Sequence, residues 1–453
     1  MDIVKKKIGV WGFGIVGKSV VNFLHARGCQ IEIMEQRPYT QAEMAELDQK
    51  NISYTQESNI EAFLKRNDLI VPSPGIKIES YYQKYPGKWL AELDIFSDYF
   101  IGKKIGVTGS VGKTTITQAL SDIMIQYRKN ILVGGNIGTG MLDLVAHATD
   151  DCCAVIELSS FQLAYTQSFA PDLAIWTHFS ENHLDWHGSM EHYFESKCAL
   201  FSHQNAHQTV LLPLTLLPRI RQSRTIPSTV AVFSAEPPTP AQLHILSAHD
   251  TLFFIKDNWI TKQIGKHVTP LMRIDQLPRI TFTQNWLIIV STLNILGYDL
   301  APLPTYAQAV KLPEHRLEKC ATINQVDFYN DSKATTPAAT LAAVDALHNK
   351  PIILFLGGLS KGIDRTSLVA ALRTKVKRVY CFGAEAPLLY NLCVTNTIPA
   401  HQCATLEEAL KECLHYCQPG DQVLFSPAGS SFDLFKNYEH RGNTFKELIR
   451  EKI

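Results

Sequence analysis

The stretch GVTGSVGKTT, from Gly106 to Thr115, decides how the middle of this 453-residue chain folds. It follows an apolar, strand-like segment and precedes a helix-like one. Its glycines allow the backbone to wrap an anion, Lys113 supplies an ammonium group, and Thr114 offers a hydroxyl to Mg²⁺. The strict pattern G-x-x-x-x-G-K-[ST] needs glycine where this chain has Val107. We still predict a phosphate-binding loop, with an unoccupied glycine turn as the alternative.

Strand-like and helix-like segments alternate on both sides of this loop, which favours parallel α/β sheets. We predict an α/β protein with three domains. These are an N-terminal Rossmann-like domain (1–97), a central P-loop-type mononucleotide-binding domain (98–308) and a C-terminal Rossmann-like domain (309–453). Residues 203–280 are less regular, and we expect them to be an antiparallel extension of the middle domain.

The bulk composition excludes several classes of protein. Lys+Arg and Asp+Glu both number 43, so the chain lacks the basic excess of a nucleic-acid binder. No apolar run reaches the ~18 residues that span a bilayer, and the N-terminus shows no signal peptide. The 10 cysteines form no CxxC pair, which is typical of reduced thiols in the cytoplasm.

A second glycine turn, Gly12 to Gly17, matches G-x-G-x-x-G between a strand and a helix. Glu35 ends the next strand, where a ribose-binding acid belongs. These residues predict a nucleotide or sugar-nucleotide site. Taken alone, they also fit a nicotinamide-dependent oxidoreductase or a turn that binds nothing.

Three further residues of the middle block carry possible metal chemistry. Glu157 ends an apolar strand, where open α/β sheets place ligand-binding groups, so it reads as a magnesium ligand or as a solvated strand end. His183 is either a second ligand or a capped loop residue. Lys197 by itself reads as an exposed helix lysine.

Taken together, the motifs resemble the Mur ligase family of ATP-dependent amide-bond-forming enzymes. VTGSVGKTT, GGNIG, ELSSFQL and NHLDWHG occur at the family's spacing. SPGI (73–76), AELDIF (91–96), LPEHR (312–316), NDSKATTPAAT (330–340), LGGLSKGID (356–364) and LFSPAGSSFDLFKNYEHRGNTF (424–445) resemble its D-glutamate-adding branch.

The resemblance implies a reaction: ligation of D-glutamate to UDP-N-acetylmuramoyl-L-alanine, in peptidoglycan precursor synthesis, with ATP and Mg²⁺. The γ-phosphate of ATP activates the substrate carboxylate as an acyl phosphate, and the amine of D-glutamate then attacks it. We expect a cytoplasmic monomer with no nucleic-acid partner and no membrane insertion.

The resemblance also implies residue roles. The catalytic residues would be Lys113, His183 and Lys197, the last carbamylated by CO₂, and the metal ligands Thr114, Glu157, His183 and Lys197. The nucleotide would contact Gly109, Ser110, Val111, Gly112, Lys113, Thr114, Thr115, Asn285, His315, Arg316, Asp331 and Lys333. UDP would contact Gly14, Ile15, Val16, Glu35, Arg37, Ser73 and Gly75, and the muramyl-alanyl end Asn136 and His183. D-glutamate would contact Thr335, Lys361, Ser431 and Tyr438.

Some positions depart from the family pattern. Ser110-Val111 stands where Ser/Thr-Asn is usual, and Arg279–Asn285 keeps only Asn285 of an asparagine motif near adenine. Tyr438 replaces a common phenylalanine, and Lys361 alone also fits a surface salt bridge. The alternatives are another Mur ligase or a folylpolyglutamate synthase-like enzyme, and a nucleotide-binding regulator without catalysis.

Overall fold

The computed structural model describes residues 2–56, 59–127, 130–136, 138–278, 283–311, 313–347, 349–360 and 362–451. Three α/β sheets confirm the predicted fold class. The chain divides into two compact units, of which the first contains Met1–Phe179, Ser189–Gln276 and Leu287–Ala309. The second contains Ser180–Gly188, Leu277–Trp286 and Val310–Ile453. No helix in the described ranges is long and apolar enough to cross a membrane.

The first sheet has four parallel strands in the order β3-β2-β1-β4. Its strands are β1 (Lys7–Trp11), β2 (Gln30–Met34), β3 (Ser53–Thr55) and β4 (Leu69–Pro72). The helices of this region are α1 (Ile15–His25), α2 (Gln41–Gln49), α3 (Ile60–Arg66), α4 (Glu79–Tyr82) and α5 (Glu92–Tyr99). Apolar β1 and β2 residues and one face of α1 are buried together, as the alternating pattern predicts.

A buried acid ties this region to the middle sheet within the first unit. Asp94 in α5 accepts hydrogen bonds from the Thr166 hydroxyl, at 2.6 Å, and from the backbone amides of Gln167 and Ser168, each at 3.0 Å. Because several donors satisfy the carboxylate, its burial is compensated.

The middle sheet has nine strands in the order β13-β12-β11-β10-β9-β8-β5-β7-β6. They are β5 (Lys103–Thr108), β6 (Ile131–Gly135), β7 (Cys153–Glu157), β8 (Leu173–Trp176), β9 (Thr209–Pro213), β10 (Thr229–Ser234), β11 (Thr251–Lys256), β12 (Trp259–Ile264) and β13 (His267–Arg273). The helices are α6 (Lys113–Tyr127), α7 (Met141–Val145), α8 (Ser160–Leu163), α9 (Leu184–His187), α10 (Met190–Ser202), α11 (Leu217–Ser223), α12 (Pro240–Leu243), α13 (Thr283–Ile295) and α14 (Leu303–Tyr306). Three 3₁₀ helices occupy Leu214–Leu216, Ile274–Gln276 and Ala307–Ala309.

The expectation of an antiparallel extension over 203–280 is only partly right. Strands β9, β10 and β11 pair in parallel, whereas β12 pairs antiparallel with both β11 and β13. The apolar runs at 209–213 and 229–234 are buried, as expected of strands covered on both faces. The Asp257-Asn258 turn, with both residues at positive φ, closes the β11–β12 hairpin.

The last sheet has six strands in the order β14-β15-β19-β16-β17-β18, of which only β14 is antiparallel to its neighbour. The strands are β14 (Glu318–Ile323), β15 (Val326–Asn330), β16 (Ile352–Gly357), β17 (Arg378–Phe382), β18 (Ala400–Cys403) and β19 (Gln422–Phe425). The helices are α15 (Pro337–Leu347), α16 (Thr366–Leu372), α17 (Ala386–Thr395), α18 (Leu406–Tyr416) and α19 (Tyr438–Arg450).

Candidate active site

The predicted phosphate loop joins β5 to α6, at the carboxyl edge of the middle sheet. Gly109 has φ +152°, and a Cβ there would lie 2.0 Å from the Thr177 hydroxyl oxygen, so no other residue fits. The Ser110 amide donates to the carbonyl of His178 at 2.8 Å, and the Thr177 hydroxyl donates to the carbonyl of Val111 at 2.5 Å. The end of β8 therefore holds the loop in shape, and the unusual Val111 takes part through its backbone.

Two lysines converge on one carbonyl group of this loop. The ammonium of Lys113 donates to the Gly109 carbonyl at 2.8 Å, and the side-chain nitrogen of Lys197 donates to the same oxygen at 3.1 Å. Lys197 also donates to the Thr108 hydroxyl at 3.2 Å and lies over the Tyr193 ring, 4.8 Å from its centre. The structure thus joins the loop to the middle of α10, which the sequence spacing does not reveal.

Lys197 is 1% exposed, so its reading as an exposed helix lysine is wrong. Burial lowers the pKa of its amine well below the usual value, and the neighbouring Lys113 lowers it further, while Glu157 acts in the opposite direction. A buried lysine beside a second cation favours the neutral amine. The arrangement therefore offers a nucleophilic amine next to the phosphate loop.

Glu157 ends β7 and is 2% exposed, which excludes a solvated strand end. Its Oε1 accepts a hydrogen bond from the Asn136 side-chain amide at 2.9 Å, and its Oε2 is buried with no partner among the described residues. A buried carboxylate oxygen without a partner is costly unless a cation or donor meets it. This oxygen is therefore suited to a metal ion.

Thr114 and Thr115 begin α6 and are buried, and His183 groups with the second unit. His183 has φ +56° and precedes α9, and its backbone amide donates to the Asn182 side chain at 3.0 Å. No group of three or more His, Cys, Asp or Glu side chains in the described ranges forms a ready metal site. Magnesium binding by these residues stays a prediction.

The N-terminal glycine turn is held by the acid predicted to bind ribose. Glu35 accepts hydrogen bonds from the Phe13 amide at 2.8 Å and from the Gln36 amide at 2.8 Å. A Cβ at Gly17 would lie 2.0 Å from the Gly12 carbonyl oxygen, so the last glycine of the motif is required for close packing. The carboxylate of Glu35 thus shapes the turn itself.

The other predicted UDP contacts surround this turn. Arg37 makes a bidentate pair with Glu43, at 2.8 and 2.9 Å, so its guanidinium is already engaged. Ser73 donates to the Gly12 carbonyl at 3.4 Å. Gly14 precedes α1, where Ile15 is 75% exposed, and Val16 packs partly against the core. A Cβ at Gly75 would meet nothing within 4 Å.

The nucleotide-side residues of the last domain are held by contacts around Asp331 and by a backbone hydrogen bond at His315. The Ser426 hydroxyl donates to Asp331 at 2.7 Å, the Leu317 amide donates to it at 3.1 Å, and Arg316 lies 3.9 Å away. The Lys333 amide donates to the carbonyl of His315 at 3.0 Å. Burial raises the pKa of Asp331 to about 6, although Arg316 opposes that effect.

The predicted D-glutamate contacts lie on neighbouring segments of the same unit. Ser431 is buried, Thr335 is half-buried, and Tyr438 begins α19 with its ring 5.5 Å from the Lys333 ammonium. Asn285 is buried in α13. Lys361 lies outside the described residues, as do residues 279–282 of the altered adenine motif.

Comparison with known proteins agrees with this arrangement. Residues 6–83 match the family described as Mur ligase MurD-like, N-terminal domain; 107–258 match the Mur ligase middle domain; and 315–429 match the Mur ligase, glutamate ligase domain. A UDP-N-acetylmuramoylalanine--D-glutamate ligase of Koribacter versatilis is 32% identical, covering 100% of this chain and 98% of the relative. One of Acidobacterium capsulatum is 31% identical, covering 99% and 97%. The chain belongs to the Mur ligase family.

Solved Mur ligases share the fold at low sequence identity. The UDP-N-acetylmuramate-alanine ligase MurC of Thermotoga maritima has a TM-score of 0.56 at 17% identity, covering 99% of this chain and 100% of that one. The MurF ligase of Thermotoga maritima in complex with ADP has a TM-score of 0.59 at 15% identity, covering 93% and 96%. The Mur ligase family is ATP-dependent, which is consistent with a phosphate loop in the middle domain.

Sequence reasoning missed several residues that build the Mur ligase site. Thr177 and His178 hold the phosphate loop from β8, and Thr108 receives a hydrogen bond from Lys197. Tyr193 lies under Lys197, and its hydroxyl is 3.1 Å from that of Ser110. The four-residue spacing of Tyr193 and Lys197, which places them on one helix face, was the available signal.

Proposed function

We propose that this protein is the cytoplasmic, monomeric ligase that joins D-glutamate to UDP-N-acetylmuramoyl-L-alanine at the expense of ATP, a step of peptidoglycan precursor synthesis that serves cell shape and division. Full-length relatives of about 30% identity carry that name. The observation that carries the chemistry is the shared Gly109 carbonyl, which collects Lys113 and Lys197 beside the buried acid Glu157. We assign 1–97 to the UDP-binding domain, 98–308 to the ATP-binding domain and 309–453 to the amino-acid-binding domain.

The phosphate loop performs the first part of the reaction. Its residues Gly109 to Thr115 would surround the phosphates of ATP, with the Lys113 ammonium and with backbone amides other than that of Ser110, which donates to the His178 carbonyl. The γ-phosphoryl group passes to the substrate carboxylate, which gains a leaving group, and the neutral amine of D-glutamate displaces phosphate to form the amide. Lys113 neutralises charge on the transferring oxygens, because an ammonium fixed beside the loop needs little reorganisation.

Magnesium fits the donor set beside this loop. The unpartnered Oε2 of Glu157 is a hard oxygen ligand, and Thr114 brings a hydroxyl. We assign Thr114, Glu157, His183 and a carbamate on Lys197 as the residues that would hold it. When bound, Mg²⁺ would neutralise the phosphate oxygens and polarise the phosphoryl group.

Carbamylation of Lys197 follows from its burial. Carbamate formation joins the neutral amine nitrogen to CO₂ and releases one proton, so a depressed pKa favours it. The product carries an anionic oxygen pair in place of the neutral amine. That change would alter the two hydrogen bonds that the Lys197 nitrogen makes and would present oxygen ligands near Glu157.

We assign the remaining substrate and nucleotide contacts to residues of all three domains. Gly14, Ile15, Val16, Glu35, Arg37, Ser73 and Gly75 would bind UDP, and Asn136 and His183 would face the muramyl-alanyl end. Asn285, Arg316, Asp331 and Lys333 would complete the nucleotide site. Thr335, Lys361, Ser431 and Tyr438 would bind D-glutamate, whose two carboxylates suit a lysine and hydroxyl donors.

An amino-acid panel tests the proposal. Phosphate release would be measured with ATP, Mg²⁺ and UDP-N-acetylmuramoyl-L-alanine, with D-glutamate, L-glutamate, L-lysine, glycine or meso-diaminopimelate as acceptor. We expect release only with D-glutamate. Equal turnover with L-lysine or diaminopimelate would refute the substrate assignment, and ATP binding without any release would indicate an inactive regulator.

A further inference from the structure

Two buried arginines of the last domain lie against the loops that follow β16 and β19. Arg365 is 2% exposed and Arg441 is 0% exposed. Burying a guanidinium is costly unless its charge and its N–H groups meet partners. The two arginines are therefore expected to hold specific partners and not only to pack in the core.

The two loops are joined by a short antiparallel bridge. The amide of Leu359 donates to the carbonyl of Ser430, and the amide of Ser430 donates to the carbonyl of Leu359, both at 2.9 Å. A Cβ at Gly358 would lie 2.2 Å from the Ser430 carbonyl oxygen, so the backbones touch directly. Because Ser431 follows this bridge, the bridge sets where its hydroxyl lies.

Arg365 contacts the loop that follows β16 in two ways. Its guanidinium donates to the Gly358 carbonyl at 3.4 Å and pairs with Glu385 at 3.2 Å. The other oxygen of Glu385 accepts a hydrogen bond from the Ser360 amide at 2.7 Å. The same guanidinium packs on the second loop, because a Cβ at Gly429 would lie 2.5 Å from it.

Arg441 also makes a hydrogen bond to the second loop. It donates to the carbonyls of Gly429 at 2.9 Å and Ser332 at 2.7 Å. The hydroxyl of Ser332 in turn donates to the Tyr438 carbonyl at 2.8 Å. The two arginines thus connect the bridge to segments that carry proposed D-glutamate contacts.

We propose that Arg365, through Glu385 and the Gly358 carbonyl, is a positioning residue for the amino-acid substrate: it fixes the Leu359–Ser430 bridge and hence the Ser431 hydroxyl. This inference rests on the proposed function for the identity of that substrate. Two nitrogens of Arg365, Nε and Nη1, are buried without a hydrogen-bond partner in the described structure. The pair with Glu385 therefore meets only part of the hydrogen-bonding capacity of the Arg365 guanidinium.

Steady-state kinetics separate positioning from general stability. Arg365→Gln removes the positive charge and its pairing with Glu385. We expect the KM for D-glutamate to rise about tenfold, while the KM for ATP stays within twofold of the wild type. Arg365→Lys keeps the charge and should recover part of the loss. Arg378→Gln is the matched control, because Arg378 begins β17 at the opposite end of the strand from Phe382, which pairs with Gly357. An equal change in all KM values would overturn the inference.

Hydrogen exchange provides a readout that does not depend on the substrate. In Arg365→Gln the amides of Leu359 and Ser430 should exchange at least tenfold faster, whereas Arg378→Gln should leave them unchanged. Unchanged exchange at both amides would overturn the inference even if the KM shifted. A wild-type enzyme that ignored D-glutamate would refute the proposed function alone, and the exchange result would still decide the role of Arg365.

Discussion

Glu92 is an acid of the first unit with a strongly raised pKa, and its replacement gives a quantitative prediction. It begins α5, is 5% exposed, and both of its carboxylate oxygens are buried. It lines a cleft of about 410 Å³, including space open to solvent, with Trp89, Gln162 and Tyr165. Burial raises the pKa of Glu92 to about 8; the charge of Asp143 adds to this, and Gln162 opposes it.

The magnitude follows from linkage between proton binding and folding. Between pH 4.5, the ordinary pKa, and pH 8, the folded state binds a proton that the unfolded state has lost. Stability therefore falls as the pH rises through this window. At pH 7 the gap is about 2.5 pK units, and at about 1.4 kcal/mol per unit Glu92 costs about 3 kcal/mol. Below pH 4.5 Glu92 no longer lowers the stability of the fold, because the carboxyl is protonated in both states.

Glu92→Gln keeps the shape and removes the titration. We expect the free energy of unfolding of the variant to exceed that of the wild type by a margin that grows by about 3 kcal/mol between pH 5 and pH 8. Urea denaturation at four pH values measures this difference, and other titrating groups cancel between the two proteins. Glu236→Gln, at an exposed acid, is the control. A difference between Glu92→Gln and the wild type that does not change with pH would refute the reasoning.

Three further predictions concern the site. Lys197→Ala should lower turnover to below about 1% of the wild type without unfolding the protein. A small carboxylate added to the variant should restore part of the activity if Lys197 acts as a carbamate. Full activity in the variant would exclude that role. Burial raises the pKa of Asp331 to about 6, and Arg316 lowers it. Arg316→Gln should therefore move the acid limb of the pH profile of kcat/KM to higher pH. If the limb does not move, it belongs to another group. Gly17→Ala should lose about 1–3 kcal/mol of stability and raise the KM for the UDP substrate, with the KM for ATP unchanged. Gly14→Ala, where a Cβ would meet no atom within 4 Å, should keep the melting temperature of the wild type. Equal melting temperatures of the two variants would contradict the packing argument.

The local sequence pattern determined the fold class of this protein and the positions of its two glycine turns. Glycines at defined spacing between a strand and a helix predicted the turns at 12–17 and 106–115, since positive φ and close backbone approach are properties of single positions. Alternating strands and helices predicted the α/β class, because burial on both faces of a parallel sheet leaves apolar runs. The direction of β9 to β11 was not predictable, since a short buried strand carries no mark of its pairing partner.

Tertiary structure alone decided which charges are buried and what they meet. Lys197 reads as an exposed helix lysine in isolation, and nothing in the local sequence marks Arg365 or Glu92 as buried, because exposure depends on elements distant in sequence. Lys197 reaches the Gly109 carbonyl across 88 residues of chain, and Arg441 reaches Ser332 across 109. A pKa shift comes from lost solvent and nearby charge, and both are set only when the chain is packed.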